Sequence, residues 1–238
     1  MSSKLPTWVG VGAFLLSFSA GCINAFTLVS AIALPVSHYT GTSTALAIAV
    51  ASGDAGRILL LSGLIASFVA GATASGLVIR DYHLKLGRRY GIALMAESAL
   101  VSLAFVAYAD DPTVSLFLLA FACGLQNAMA TTYSGAVVRT THVTGILTDL
   151  GTQLAKVLLG NKVERRRVAL FLSILSGFIL GGVLTTALFP LIGRYVLFVV
   201  VALTGGTGLS YYAYRQFVVT GSSSLTPEAR GDTLSHDE

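Results

Sequence analysis

Two stretches of this sequence carry the same motifs in the same order. Residues 21–41 read GCINAFTLVSAIALPVSHYTG, and residues 124–145 read GLQNAMATTYSGAVVRTTHVTG. Each begins with Gly-x-x-Asn-Ala and ends with His-x-Thr-Gly, and the second copy of each motif lies 103 or 104 residues after the first. Further along, Ser-Phe-x-x-Gly at 67–71 is echoed 110 residues later by Gly-Phe-x-x-Gly at 177–181. Motifs that recur in one order at a near-constant offset predict an internal duplication.

The composition is that of a membrane protein. Hydrophobic residues make up 54% of the chain and charged residues only 11%, whereas charged residues make up about 25% of a soluble domain. A soluble globule is therefore excluded, and we expect one transmembrane domain over residues 1–217 with a polar, disordered cytoplasmic tail over 218–238. The excess of Lys and Arg indicates cytoplasmic loops and no nucleic-acid partner. Cys22 and Cys123 lie in apolar segments, so they predict neither a disulfide framework nor a metal site.

Six apolar segments are long enough to cross the hydrocarbon core of a bilayer, about 30 Å, as helices. They are residues 9–34, 58–79, 90–108, 114–138, 168–188 and 195–214. Two further apolar segments, 41–52 and 145–159, are shorter and follow Pro or polar residues, which favours re-entrant or broken half-helices. The expected fold is an all-α integral membrane protein with about six transmembrane helices.

Two basic loops orient these segments in the membrane. Residues 80–89 and 162–167 are rich in Lys and Arg, and the positive-inside rule places both loops in the cytoplasm. The chain crosses twice between them, so segment 145–159 must enter and leave the membrane from the cytoplasmic side. By the same count, segment 41–52 enters from the outside, and both termini are cytoplasmic. The alternative, in which both short segments cross, gives eight spans and leaves one basic loop outside.

The duplication and the topology lead to the same architecture. Repeat one covers about residues 9–109 and repeat two about residues 114–214, and each contains three crossings and one half-helix. Because three is an odd number, the second repeat is inverted relative to the first. Inverted repeats with broken helices near the membrane midplane are typical of secondary transporters and of some channels.

The two His-x-Thr-Gly motifs supply candidate substrate-binding residues. These are His38, Thr40, Gly41, His142, Thr144 and Gly145. Each Thr is predicted to cap the half-helix that follows, and each Gly allows close approach of backbone or ligand. The helix N-terminus favours an anion or a polar group, and each His could bind the same ligand or carry a proton. The alternative is that each His hydrogen-bonds a neighbouring carbonyl and only stabilises the broken helix.

Further polar residues lie in or beside the apolar segments. Asn24, Gln126 and Asn127 are amides within predicted spans, where burial without a partner would cost several kcal/mol. They either satisfy the unwound backbone beside the half-helices or line a polar pathway. Arg139 precedes the second half-helix and could meet an anionic substrate or lie at the cytoplasmic rim.

Two acidic residues are candidate coupling sites. Glu97 lies within the third predicted span, and an ionisable group inside a membrane is a functional hypothesis by default. It could couple solute movement to protons or form a static pair with a His or Arg on another helix. Asp149 lies one turn inside the second half-helix, where an acid either stabilises the positive helix end or takes part in ion coupling.

The two Gly-x-x-Asn-Ala motifs and the two His-x-Thr-Gly motifs resemble those of the YoaK-like family of multi-pass membrane proteins, over about residues 13–214. In that family the first His motif often continues Thr-Gly-Asn, whereas here Thr42 follows Gly41, so any role of that Asn is absent or changed. The resemblance implies an integral protein of bacterial inner membranes. It implies no particular substrate, because the family has no established activity.

These observations favour a secondary transporter of a small polar or anionic solute, proton-coupled through Glu97, with the two half-helix starts facing each other at the membrane centre. The alternatives are a non-transporting scaffold or partner-binding protein, and a channel. The sequence has no P-loop, His-Glu-x-x-His, Cys-x-x-Cys or Gly-x-Ser-x-Gly motif, so we expect neither an enzyme nor a cofactor. The expected partners are the lipid bilayer and the solute, and homo-oligomerisation stays open.

Overall fold

The computed structural model describes residues 7–31, 33–79, 88–134 and 139–221. Over these residues the chain forms helices, one 3₁₀ turn at Gly193–Val196 and no strand. The helices are α1 (Thr7–Val29), α2 (Tyr39–Ser52), α3 (Ala55–Val78), α4 (Arg88–Ala107), α5 (Pro112–Ser134), α6 (Val143–Leu158), α7 (Arg165–Ile192) and α8 (Leu197–Gly221). The predicted domain boundary after residue 217 falls within α8, and residues 222–238 lie outside the described residues.

Five helical segments within the described residues are long and apolar enough to span a membrane. The last of them, Arg165–Ala213, is 49 residues long and contains α7, the 3₁₀ turn and the first part of α8. The prediction of an all-α, multi-pass membrane protein is therefore confirmed.

The first predicted span extends beyond the carboxyl end of the helix that the structure shows. It extends to residue 34, whereas α1 ends at Val29. The Ser30 hydroxyl donates to the Thr27 carbonyl at 3.1 Å, and Ala33 adopts a positive φ of 50°, so the chain turns back along the helix it has just left. A hydropathy pattern cannot reveal this reversal, because residues 33–36 are also apolar, and Val36 is fully buried.

Helices α1 and α7 run parallel and pack closely through glycines. A Cβ atom built at Gly177 would lie 2.6 Å from the Phe14 carbonyl oxygen, and one at Gly181 would collide with the Phe18 carbonyl. The partner residue numbers increase together along α1 and α7, from Phe14 with Gly177 to Phe18 with Gly181, so the two helices are parallel. Because glycine lacks a Cβ, the two backbones can approach each other directly.

Helices α3 and α5 form a second parallel pair of the same kind. The Phe121 carbonyl lies against Gly71, and the Phe68 carbonyl lies against Gly124. The Ser67 hydroxyl also donates to the Phe117 carbonyl at 2.7 Å. The motif Ser-Phe-x-x-Gly of α3 therefore takes part in two reciprocal contacts with α5: it supplies the glycine of one, Gly71, and the carbonyl of the other, Phe68.

Helix α4 packs antiparallel to α8. Gly91 lies against Gly208, and seven residues further along α4 the Ser98 hydroxyl donates to the Val201 carbonyl at 3.0 Å. At the end of α4 the chain turns into α5, where the Asp111 carboxylate accepts from the Thr113 N–H at 2.7 Å.

Aromatic contacts show which helix ends lie together. The Phe26 ring lies 5.2 Å from the ring of Tyr108 and 5.8 Å from that of Phe189. The carboxyl ends of α1, α4 and α7 therefore lie at one end of the bundle. Because α5 and α8 begin there, and α3 is parallel to α5, helices α3, α5 and α8 run in the opposite direction.

The short helices α2 and α6 begin about half-way along their neighbours. The Tyr39 hydroxyl at the start of α2 donates to the Leu64 carbonyl at 3.4 Å, nine residues into α3. At 1.5 Å per residue, this is about 14 Å from the α3 N-terminus. Near the start of α6, Ile146 packs in one cluster with Ile174, which lies nine residues into α7. Both half-helix starts are thus held at a similar depth in the bundle.

Candidate functional site

Each half-helix is capped by the histidine of its motif. The carbonyls of His38 and His142 accept the first helical hydrogen bonds of α2 and α6, at 3.2 and 3.1 Å. The prediction that Thr40 and Thr144 cap the helices is wrong, because both helices begin one residue before the threonine. Propensity favours Thr as a cap, but here the segment before each helix is held in place by tertiary contacts.

In each motif the imidazole ring lies over the glycine three residues further on. A Cβ atom at Gly41 would lie 2.8 Å from His38 Nδ1, and a Cβ atom at Gly145 would collide with the His142 ring. The missing side chain lets the ring fold back onto the first helical turn. Neither imidazole makes a side-chain cap hydrogen bond. The motif spacing therefore reflects how each ring packs on the first turn of its own helix.

The two half-helix starts lie on different helix pairs. Helix α2 packs on α3 and α6 packs on α7, and within the described residues no extensive interface joins α2 to α6. His38, Thr40, His142 and Thr144 are exposed at the protein surface. The described residues thus do not bring the two starts together in one closed pocket.

Asn24 and Asn127 hold the segments that lead into the half-helices. The Asn24 side-chain oxygen Oδ1 accepts from the Ser37 N–H at 3.3 Å and from the Ser37 hydroxyl at 2.9 Å. Asn127 donates to the Thr141 hydroxyl at 2.6 Å and accepts from the Thr140 hydroxyl at 3.1 Å. Of the two interpretations of these amides, the geometry favours the one in which they stabilise the unwound chain.

Gln126 occupies a different position from the two asparagines. Its side chain is fully buried and donates to the Leu16 carbonyl of α1 at 2.9 Å. The side-chain oxygen has no hydrogen-bond partner among the described residues. This amide leaves one acceptor unsatisfied in the bundle interior.

Glu97 is the most unusual side chain of the described structure. It is 0% exposed, and neither carboxyl oxygen has a hydrogen-bond partner among the described residues. The static-pair interpretation therefore finds no partner for Glu97 among the described residues. A buried carboxyl without a partner is compatible with its neutral, protonated form.

Asp149 has a partner that sequence reasoning missed. Its carboxylate lies 3.5 Å from the Arg167 guanidinium, which also lies over the Phe171 ring at 5.3 Å. This ion pair joins α6 to α7 and gives Asp149 a structural role. The sequence feature that could have indicated this pair is the run of arginines at the start of α7, a few residues after the end of α6. Arg139 is exposed beside the buried Thr140.

An apolar groove lies between α1 and α8, away from both motifs. It has a volume of about 450 Å³ and is lined by Phe14, Leu15, Phe18, Val199, Ala202 and Leu203. Such a lining suits hydrocarbon and offers no partner to a polar solute. Over the part of the chain that the structure describes, no group of three His, Cys, Asp or Glu residues could hold a metal ion.

Comparison with known proteins gives one informative result. No curated protein and no solved structure matches the sequence. A family model described as a protein of unknown function, DUF1275, matches residues 12–210, a range that contains both motif pairs and both half-helices. The resemblance to the YoaK-like family is consistent with this match. The chain therefore belongs to the DUF1275 family.

Proposed function

We propose that this protein is a secondary transporter of a small polar or anionic solute, coupled to protons through Glu97. The proposal rests on one observation: a carboxyl group inside an apolar helix that is fully buried and has no partner among the described residues. Such a residue is costly in a membrane and is usually retained for function. We further propose that the protein has no enzymatic activity and lies in a bacterial inner membrane.

The burial of Glu97 suggests how coupling works. In this conformation water cannot reach the carboxyl, so the group keeps its proton. Release of that proton requires a second conformation in which water or a cation stabilises the carboxylate. The solute then has to bind the two conformations with different affinities, since only differential affinity can shift their populations.

We propose six membrane spans in two inverted repeats, with both termini in the cytoplasm. The helix directions support this arrangement, because α1, α4 and α7 run opposite to α3, α5 and α8. Equivalent residues also make equivalent contacts: Gly181 lies against Phe18 and Gly71 against Phe121. Helix α2 then starts inside the membrane and returns to the side from which the chain entered.

Thiol labelling tests this topology. Single cysteines at positions 55 and 111 are expected to react from outside with a membrane-impermeant reagent, and cysteines at 85 and 163 only after the membrane is opened. The native Cys22 and Cys123 are both free and buried, so their background labelling should be low. Labelling of 85 and 163 from opposite faces would contradict the inverted arrangement.

The half-helix starts are the proposed solute sites. The first N–H groups of α2 and α6 have no helical partner, and they point where an anion or a polar group is favoured. His38 and His142 stand beside these groups with ring nitrogens that make no cap hydrogen bond. Their placement on separate helix pairs supports two sites of opposite orientation, one for each repeat.

Transport in liposomes tests the function directly. The purified protein is reconstituted with a pH-sensitive dye inside, and small anions and polar solutes are added one at a time under a pH gradient. We expect at least one solute to move protons several-fold faster than in protein-free liposomes. If no member of a broad panel of carboxylates, phosphates, sulfate, amino acids and sugars does so, the transporter proposal is wrong.

The second candidate is a scaffold or partner-binding membrane protein. Two observations favour it: the two asparagines stabilise chain segments, and each imidazole packs on its own helix. A protein of this kind would leave the liposome experiment without any signal. A channel differs again, since its solute flux would continue without any accompanying proton movement.

A further inference from the structure

We propose that the interface between α4 and α5 is the path by which water reaches Glu97, and that it opens when α4 and α8 move together into the groove beside α1. This inference rests on the proposed transport function and its inverted repeats. It adds to them the second conformation, in which the buried carboxyl releases its proton.

Equivalent contacts relate the two outer helix pairs of the bundle. An offset of 103 residues relates α1 to α5, and an offset of 110 relates α3 to α7. With these offsets, the contact of Gly21 with the Phe178 carbonyl corresponds to the contact of Gly124 with the Phe68 carbonyl. The α1–α7 pair and the α5–α3 pair are therefore built in the same way.

Helices α4 and α8 form a central unit between these two pairs. Gly91 lies against Gly208, and the Ser98 hydroxyl donates to the Val201 carbonyl at 3.0 Å. The 110-residue offset exchanges these two contacts, so α4 corresponds to α8. Because α4 packs against α5 and α8 packs against α1, the central unit meets both outer pairs through equivalent helices.

The outer pairs present the same side chains to the central unit. Residues 14–18 of α1 read FLLSF, and the equivalent residues 117–121 of α5 read FLLAF. On α1, three of these residues line the open groove. On α5, the equivalent three residues, Phe117, Leu118 and Phe121, pack against buried clusters. The α1 wall is therefore suited to accept α8 as the α5 wall accepts α4.

One pair of equivalent residues explains why the central unit leans on α5 in this conformation. Ala93 of α4 is 2% exposed and lies in a buried cluster with Leu125 and Met129 of α5. Its equivalent on α8 is Leu203, which lines the groove. The small alanine allows close approach of α4 to α5, whereas the larger leucine holds α8 away from α1.

Glu97 lies on the side of α4 that faces α5. Gly91 and Ser98 mark the side that contacts α8, and Glu97 points about 100–120° away from both. It follows Ala93 by one turn, on the same face. The equivalent residue on α8, Thr207, is only half-buried. Separation of α4 from α5 therefore gives Glu97 the access to its surroundings that Thr207 already has.

The groove provides the space for this movement. Its volume is about 450 Å³ and its lining is apolar, so α8 can fill it without burying a polar group. The movement exchanges one apolar helix contact for an equivalent one, which keeps the two conformations close in free energy. Rocking of one unit against another is how inverted repeats commonly alternate access to a central site.

Spin-label distances test the movement without any solute. One label pair joins Val69 of α3 to Ala99 of α4, and the other joins Ile179 of α7 to Leu209 of α8. The 110-residue offset makes the two pairs equivalent, and all four positions are exposed. We expect each pair to show a main and a minor distance, with the minor distance of each pair matching the main distance of the other.

Exchange of the two equivalent side chains should shift this equilibrium. In the double variant Ala93→Leu with Leu203→Ala, the two label pairs are expected to exchange their main distances. Leu203→Ala alone removes volume beside the groove and should increase the minor distance of each pair, which keeps the test decisive if the double variant does not fold. Ala187→Leu, at an exposed position of α7, is the control and should leave both distances unchanged.

Chemical modification tests whether the movement exposes Glu97. Its reaction with a water-soluble carbodiimide is measured by mass spectrometry, with Glu97→Gln as the blank, and should increase several-fold in the double variant. Unchanged distances in folded variants, or exchanged distances without increased modification, would overturn the inference. If both change as expected but no solute is transported, the proposed function fails and the access path to Glu97 remains.

Discussion

Gly71→Ala is expected to lower the free energy of unfolding by about 2–3 kcal/mol, the upper part of the range for overpacked interiors. The new Cβ would lie 2.8 Å from the carbonyl carbon of Phe121 and 3.0 Å from its Cα. Backbone cannot move aside as a side chain can, so α3 and α5 must separate. Within a bilayer their association depends on close packing, because lipid is as apolar as the helices.

Gly76→Ala is the matched control for this substitution. Gly76 lies in the same helix, and no atom would come within 4 Å of its added Cβ. Equilibrium unfolding in mixed micelles should show this variant as stable as the wild type or slightly more stable, because alanine favours helix. The second helix pair offers an independent comparison. Gly181→Ala should destabilise strongly, whereas its neighbour Gly182 faces Ala25 at an ordinary 3.8 Å. Equal effects within either pair would show that the glycine contacts do not determine stability.

Glu97→Gln is expected to abolish solute accumulation driven by a pH gradient, by about tenfold or more, while solute exchange across the membrane continues. Glutamine has nearly the same shape as the protonated acid but cannot release a proton. The variant should therefore fold and still bind solute, and only the coupling should be lost. Accumulation and counterflow of the same solute are measured in parallel in liposomes.

Asp110→Asn is the control carboxylate for this experiment. Asp110 is exposed in the turn between α4 and α5, and its neutralisation should change neither accumulation nor counterflow. Unchanged accumulation in Glu97→Gln would show that another group carries the proton. Loss of counterflow together with accumulation, in a variant that unfolds like the wild type, would instead assign Glu97 to solute binding.

Much of the architecture could be predicted because hydrophobicity and local motifs act over short distances. The alternation of apolar segments with basic loops predicted the helices that the structure contains, including both half-helices. Asn24 and Asn127 were recognisable because an amide in an apolar helix requires a partner. The segments they hold begin about a dozen residues later in the chain, close enough for the repeated motif to indicate the contact.

Contacts between distant parts of the chain could not be predicted in this way. The helix caps were misplaced because tertiary contacts of the preceding segments, and not Thr propensity, decide where α2 and α6 begin. The partner of Asp149 was missed because Arg167 looked like one more residue of a basic loop.

The sequence by itself thus determined that this chain is a multi-pass helical membrane protein, since apolar length and charge position are properties of each segment alone. Only the tertiary structure decided which side chains are isolated and which are paired. It separated the two half-helix starts onto different helix pairs, and it left the Glu97 carboxyl without a hydrogen bond among the described residues. The reason is that burial and pairing depend on close backbone approach between helices, such as the glycine contacts of α3 with α5, which join residues about 50 positions apart.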